Sequence, residues 1–245
     1  MRKGVALYTG GKDSHFALIE SLKQGTYVDL LIIVIPKLSD SWLFHTVNIG
    51  LSQIHADLIG VKKVIVEVSG VKEREVVETI SFLRRLNLDS RYDHLVSGAV
   101  ASRYQKERVD LIAEELGLKH VTPLWGRDQE TLLIEEVEEL SFIVTAIQAY
   151  GLDLNWLGSL VSRGRVKAFL KDVREASISV VGEGGEFETF VVSSRLFRTG
   201  GIYVNTADLV RYPQHGFGYY FLKSVTVLQP PRLEAQELHT RRVIS

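Results

Sequence analysis

The hexapeptide Thr9-Gly10-Gly11-Lys12-Asp13-Ser14 carries the residue types that hold a phosphate chain, between a strand-like run and a helical one. Two successive glycines let the backbone turn sharply and bring its N–H groups against phosphate oxygens with no Cβ in the way. A helix opening near Ser14 adds its positive N-terminal end. Lys12 supplies a compact cation for the β and γ phosphates, Ser14 a hydroxyl donor, and Asp13 a contact either to magnesium or to the loop backbone. The spacing is not that of the Walker loop, whose glycines stand five apart ahead of the lysine. A bare Gly-Gly turn with Asp13 or Ser14 as helix cap would explain a shorter match. Six residues in the strand-to-helix context point to a phosphate site.

A second constellation is acidic: Gly182-Glu183-Gly184-Gly185-Glu186-Phe187-Glu188-Thr189. The strand period puts Glu186 and Glu188 on one face, roughly 7 Å apart, with Phe187 and Thr189 on the other. Two carboxylates so placed raise each other's pKa and attract cations. Gly184 and Gly185 indicate that something approaches the backbone closely. Elsewhere Ser97-Gly98 ends a strand and begins a helix, and Tyr104 and Arg108 share a helical face at i and i+4. That pair could reach a phosphate or a substrate carboxylate, or belong to a solvated face with Arg103 and Lys106. Trp125 and Arg127 stand in a loop after the fifth strand, as an aromatic beside a cation or with Trp125 in the core. His45 follows the second strand, and capping or packing competes evenly there with catalysis. His55, His94, His120 and His215 show no metal-ligand spacing, so no zinc site is expected.

The elements that must hold these residues follow from periodicity. Short apolar runs at Gly4-Thr9, Val28-Ile35, Lys62-Val68, Leu95-Gly98 and Lys119-Val121 alternate with helical patterns at Ser14-Gln24, Val47-Ile59, Val71-Leu86 and Ala101-Leu116. Alternation of this kind predicts an α/β doubly wound parallel sheet of five strands, with ligands at the carboxyl ends of its strands. A bridging helix from Asp128 to Leu140 leads to a smaller α+β unit, with a helix at Arg165-Arg174 and strands at Ile178-Val181, Phe187-Val192, Tyr203-Val210 and Tyr219-Val227. The expected division is 1–127, 128–229 and a polar tail, 230–245. A net charge of −1 provides no global field for nucleic acid, so no nucleic-acid partner is expected. The longest apolar run, Leu30-Pro36, is far too short to span a membrane, and a strand-like start at Gly4 predicts a cytoplasmic chain. Without any cysteine there is no disulfide, thiolate zinc site or sulfur-carrying thiol. Nothing fixes the oligomeric state, and a homodimer stays open.

The phosphate loop resembles the Ser-Gly-Gly-x-Asp-Ser motif of the N-type ATP pyrophosphatases, with Thr9 where serine is usual; the hydroxyl is kept and a methyl added. The segments Ser97 to Val109 (Ser97-Gly98-Ala99-Val100-Ala101-Ser102-Arg103-Tyr104-Gln105-Lys106-Glu107-Arg108-Val109), then Leu124-Trp125-Gly126-Arg127-Asp128-Gln129, and above all Gly182 to Thr189 resemble segments of the diphthine–ammonia ligases, in the same order. The resemblance implies a nucleotide α-hydrolase-like fold, ATP and Mg2+, with Thr9 to Ser14, Ser97 and Gly98 on the nucleotide. It also implies a protein substrate, translation elongation factor 2 bearing diphthine, whose quaternary ammonium would suit paired carboxylates and aromatics. His45, Tyr104, Arg108, Trp125, Arg127 and Glu183 to Thr189 would then face that substrate, with Lys12, Asp13, Glu186 and Glu188 catalytic. The implied reaction is adenylation of the diphthine carboxylate, release of pyrophosphate, and attack of free ammonium-derived ammonia, since no cysteine-type glutaminase is present. Two alternatives stay open: amidation of a small-molecule carboxylate by a related branch, and a non-catalytic ATP sensor. RNA thiolation, found among relatives of the loop, lacks its cysteines here.

Overall fold

A computed structural model describes residues 2–38 and 46–229; His45 and the polar tail lie outside them. Five strands, β1 (Arg2–Leu7), β2 (Thr26–Pro36), β3 (Lys62–Val68), β4 (His94–Val96) and β5 (Lys119–Val121), pair in the order β3-β2-β1-β4-β5. Every pairing is parallel. Because the chain works outward first to β2 and β3 and then to β4 and β5, the order reverses between β1 and β4. In a doubly wound sheet that reversal opens a crevice at the carboxyl ends of those two strands, where Thr9 to Ser14 and Ser97 to Ser102 lie.

Alternation along the strands explains the layers. Val5, Leu7, Leu30 and Ile32 face one way and bury the apolar stripes of α3 (Arg74–Arg84) and α4 (Arg103–Glu115), including Val76, Ile80, Val109 and Ile112. Ala6, Tyr8, Leu31 and Ile33 face the other way, against α1 (Lys12–Lys23) and α2 (Gln53–Ile59). From α5 (Gln129–Glu139) the chain enters an antiparallel sheet: β6 (Leu140–Ile147), β7 (Leu160–Val161), β8 (Phe187–Ser194), β9 (Gly201–Tyr212) and β10 (Phe217–Leu228), with α6 (Val166–Glu175) packed on it. Its core of Phe142, Phe169, Phe187 and Phe190 is continuous with that of α1 and β2. The second sheet is therefore packed directly onto the α1 and α2 side of the first.

Two segments depart from the periodicity. Ile178 to Val181 forms turns, because Gln129 Oε1 takes the N–H of Val180 and Glu186 Oε1 that of Ser179, side chains standing where a neighbouring strand would be. The expected helix over Val47 to Ile59 starts as a 3₁₀ turn, Ile49–Ser52, ahead of α2. Asn48 is held at a φ of 61° outside it, its side-chain amide pairing with the backbone of Tyr220 and Leu222 on β10.

Candidate active site

The phosphate loop is internally braced. Thr9 Oγ1 lies 3.0 Å from Ser14 Oγ and accepts from the N–H of Gly11, while the Ser14 hydroxyl donates to Gly11 O at 3.0 Å. Gly11 caps α1 without a side chain, leaving the positive helix end at a cleft that Asp13 and Ser14 line. Gly10 has a φ of 82°, and a Cβ there would lie 2.7 Å from Ser52 Cβ, so glycine is required twice over.

The antiparallel sheet completes this loop. Val191 N–H donates to Gly10 O at 3.0 Å, and Thr189 Oγ1 accepts the Lys12 N–H at 3.1 Å. Behind the contact lies a buried chain of hydrogen bonds: Ser194 Oγ to His15 Nε2 at 2.7 Å, His15 Nδ1 to Tyr8 Oη at 2.7 Å, Tyr8 Oη to His55 Nδ1 at 2.8 Å, and His55 Nε2 to Val191 O at 2.8 Å. A carbonyl can only accept, so His55 donates from Nε2; the remaining protons then run one way from Ser194, and both rings are neutral. Burial holds His15 well below the ordinary imidazole range, with His55 adding to the effect, and pushes His55 itself down to about 4. Since the unfolded ring takes up its proton near 6.5 and the folded one only near 4, the unfolded state binds more protons between those values. Stability is thus full above about pH 6.5 and falls with pH across that window, by roughly 3 kcal/mol from His55 alone. Urea midpoints at pH 7, 5.5 and 4 should show the decline, and His55→Gln should make it shallower, with the share from His15 remaining.

A cavity of about 710 Å³ runs from the loop to the acidic motif. Its wall includes Thr9, Asp13 and Ser14, then Ser97, Gly98 and Tyr104, and opposite them Glu183, Gly184, Gly185, Glu186, Glu188 and Thr189. Glu183 closes the ring: its carboxylate accepts the N–H of Val100 at 2.7 Å and that of Ala101 as well. Glu188 Oε2 accepts the N–H of Val47 at 3.3 Å. Glu186 folds over Gly184, where a Cβ would lie 2.7 Å from Oε1, while its Oε2 is buried without a hydrogen-bond partner.

Other expected residues go elsewhere. Lys12 is fully buried, its Nζ 2.6 Å from Asp13 Oδ1 and 3.4 Å from the equally buried Glu136 Oε2 on α5, and it does not line the cleft. Burial opposes charge on Lys12, but Asp13 and Glu136 outweigh it and hold the pKa above its usual value. Glu136 is pushed well above the carboxylate range, by burial first and Asp13 next, against Lys12. Arg108 donates to Glu73 at 2.6 Å and stacks 3.7 Å over the Tyr104 ring, so of that helical pair Tyr104 alone lines the cleft. Arg127 pairs with Glu135 and Glu20, and Trp125 sits beside Lys106, neither on the cleft wall. The Phe187 ring is buried against Phe169, whatever its backbone offers the cavity. Glu136 was legible in principle: it interrupts the apolar stripe of Leu132, Leu133 and Val137.

With this geometry in view, comparison with known proteins gives concordant results. The family profiles of the diphthamide synthase N-terminal domain and C-terminal domain match residues 2–120 and 128–227. A diphthine–ammonia ligase of Saccharomyces cerevisiae is 28% identical over 85% of this chain, which spans 35% of that longer protein. Proteins of the same name from Rattus norvegicus and Homo sapiens are 28% and 24% identical, each alignment covering 86% of both chains. A solved structure described as a predicted subunit of tRNA methyltransferase from Methanocaldococcus jannaschii aligns over 79% of this chain and 98% of its own, at 18% identity and a TM-score of 0.42.

Proposed function

Because this chain belongs to the diphthamide synthase family, matched along both halves, we propose that it is an ATP-consuming ligase that amidates diphthine on translation elongation factor 2. The observation that carries the reading is the seam between the halves. Thr189 and Val191 bond to the phosphate loop itself, so a nucleotide there and a substrate at Glu186 and Glu188 share one cavity. A separate sensor domain would have no need to bring an acidic strand onto the phosphates.

In this mechanism the loop N–H groups and the α1 terminus bind the pyrophosphate portion of ATP and stabilise its charge as it leaves. The diphthine carboxylate attacks the α-phosphorus to give an acyl-adenylate, and ammonia displaces AMP. Ser97 and Gly98 flank the nucleotide, and Glu186 and Glu188 receive cationic groups, the quaternary ammonium or the incoming ammonium. Among the described residues no group of three or more His, Asp or Glu is set to hold a metal. That suits magnesium, which is usually held by phosphate oxygens with one or two carboxylates, and Asp13 at the cleft is the residue that fits. The ion would supply Lewis-acid neutralisation of the phosphates.

The test is release of AMP and pyrophosphate from ATP, magnesium, ammonium and diphthine-bearing factor, each omitted in turn. AMP is expected only from the full mixture, with the factor lighter by about one dalton, the difference between a carboxylic acid and its amide. Amide formed on a small carboxylic acid but not on the factor would move the assignment to a related branch.

A further inference from the structure

We propose that Ser97, His120 and Asp110 form a proton relay that opens on the cleft and takes a proton from ammonium, freeing the ammonia that attacks the activated carboxyl; the inference rests on the ligase reading above. Ser97 directly follows β4 and lines the cavity. His120 stands on neighbouring β5, its Nε2 2.8 Å from Ser97 Oγ and its Nδ1 2.6 Å from Asp110 Oδ1 on α4. Asp110 can only accept, so Nδ1 carries the proton and Nε2 is left as an acceptor for the Ser97 hydroxyl. Hydroxyl, imidazole and orienting carboxylate thus stand in series within hydrogen-bond reach, with the hydroxyl toward the ligand. The charged groups on the ring are Asp110 and Lys106, both of α4, and Lys106 Nζ lies 2.7 Å from Asp110 Oδ2. Burial lowers the His120 pKa more than Asp110 raises it, with Lys106 adding to the fall, so the ring is an unprotonated base near neutrality.

Chemistry supplies the need. A cleft lined by Asp13, Glu186 and Glu188 attracts ammonium, which has no lone pair to attack with. Ammonium must therefore lose one proton before it attacks; the ammonia then forms the C–N bond, AMP departs with the electrons of the C–O bond, and the second proton leaves the nitrogen to the departing AMP phosphate or to solvent. Ser97 Oγ takes the first proton, from ammonium, as its own passes to His120 Nε2, and the imidazolium is held by Asp110. Reversal toward solvent after AMP leaves resets the relay. Imidazole is better matched to this transfer near neutral pH than an ordinary carboxylate.

The experiment compares two nucleophiles on the full chain with ATP, magnesium and diphthine-bearing factor: ammonium, and hydroxylamine, which is largely unprotonated near neutrality. In His120→Gln the carboxamide oxygen can still accept from Ser97 but cannot take the proton. The ammonium reaction should fall about a hundredfold, the hydroxylamine reaction and ATP–pyrophosphate exchange should stay within a few-fold, and Ser97→Ala should show the same selective fall of the ammonium rate relative to the hydroxylamine rate. Ring 15N resonances should show His120 protonated on Nδ1 alone, with the Nε2 shift altered in Ser97→Ala. Equal loss with both nucleophiles, or an unchanged ammonium rate, overturns the relay while the ligase stands. No amide from the unmodified protein overturns both.

Discussion

Lys12→Met is expected to lower the melting temperature by on the order of 10 °C, through a loss of about 3 to 5 kcal/mol. The side chain is wholly buried between Asp13 and Glu136. Removing its charge leaves the buried Glu136 carboxyl with no cation and Asp13 without its partner at 2.6 Å. Breaking one member of a buried ionic group is costlier than replacing the group by apolar side chains of similar volume. Lys12→Met with Glu136→Leu should therefore be more stable than Lys12→Met alone, with a coupling on the order of 2 kcal/mol in a double-mutant cycle. Thermal and urea unfolding of the four proteins provide the measurement. If the lysine acted on the phosphates instead, Lys12→Met would lose ATP affinity at an unchanged melting temperature, and the second substitution would restore nothing.

This contrast marks where sequence reasoning reaches its limit. The five parallel strands were legible because their apolar runs are short, β-branched and regularly interrupted, and Lys62–Val68 and Lys119–Val121 fall on the residues their patterns indicate. Glycines and acidic residues placed the two motifs, since a turn or a carboxylate pair is written locally. What local patterning does not carry is which atoms of a motif face the ligand. Lys12 and Thr189 are separated by 177 residues, yet one bond between them turns the acidic strand onto the loop. His15, His55 and Tyr8 looked unremarkable apart, and the two imidazoles acquire their tautomers, and Tyr8 the direction of its hydroxyl proton, only from Val191 and Ser194 on β8. Arg108 shares a helical face with Tyr104, but Glu73, 35 residues earlier, claims its guanidinium.

Gly98→Ala should weaken ATP binding by on the order of a hundredfold or more while the protein stays folded. An added Cβ would lie 2.6 Å from Ser14 N, 2.7 Å from Asp13 C and 2.8 Å from Ser14 Cα, all backbone atoms of the phosphate loop. A flexible side chain could swing aside, but this backbone is pinned. Gly10 is wedged against Ser52, Gly10 O is held by Val191, and the Lys12 N–H is held by Thr189. The β4–α4 turn is fixed in its place too, with Val100 and Ala101 bonded to Glu183 and Val100 O to Gly126. Neither side can yield without withdrawing N–H groups from the phosphates, so strain of about 3 kcal/mol falls on the site. Titration with ATP by calorimetry, beside a melting curve, reads both quantities, and Gly164→Ala, where an added Cβ meets nothing within 4 Å, is the control. Full ATP affinity in Gly98→Ala would mean that the nucleotide does not use the first turn of α1. The crevice between β1 and β4 would then need another occupant, and the acidic strand would lie against something other than the phosphates.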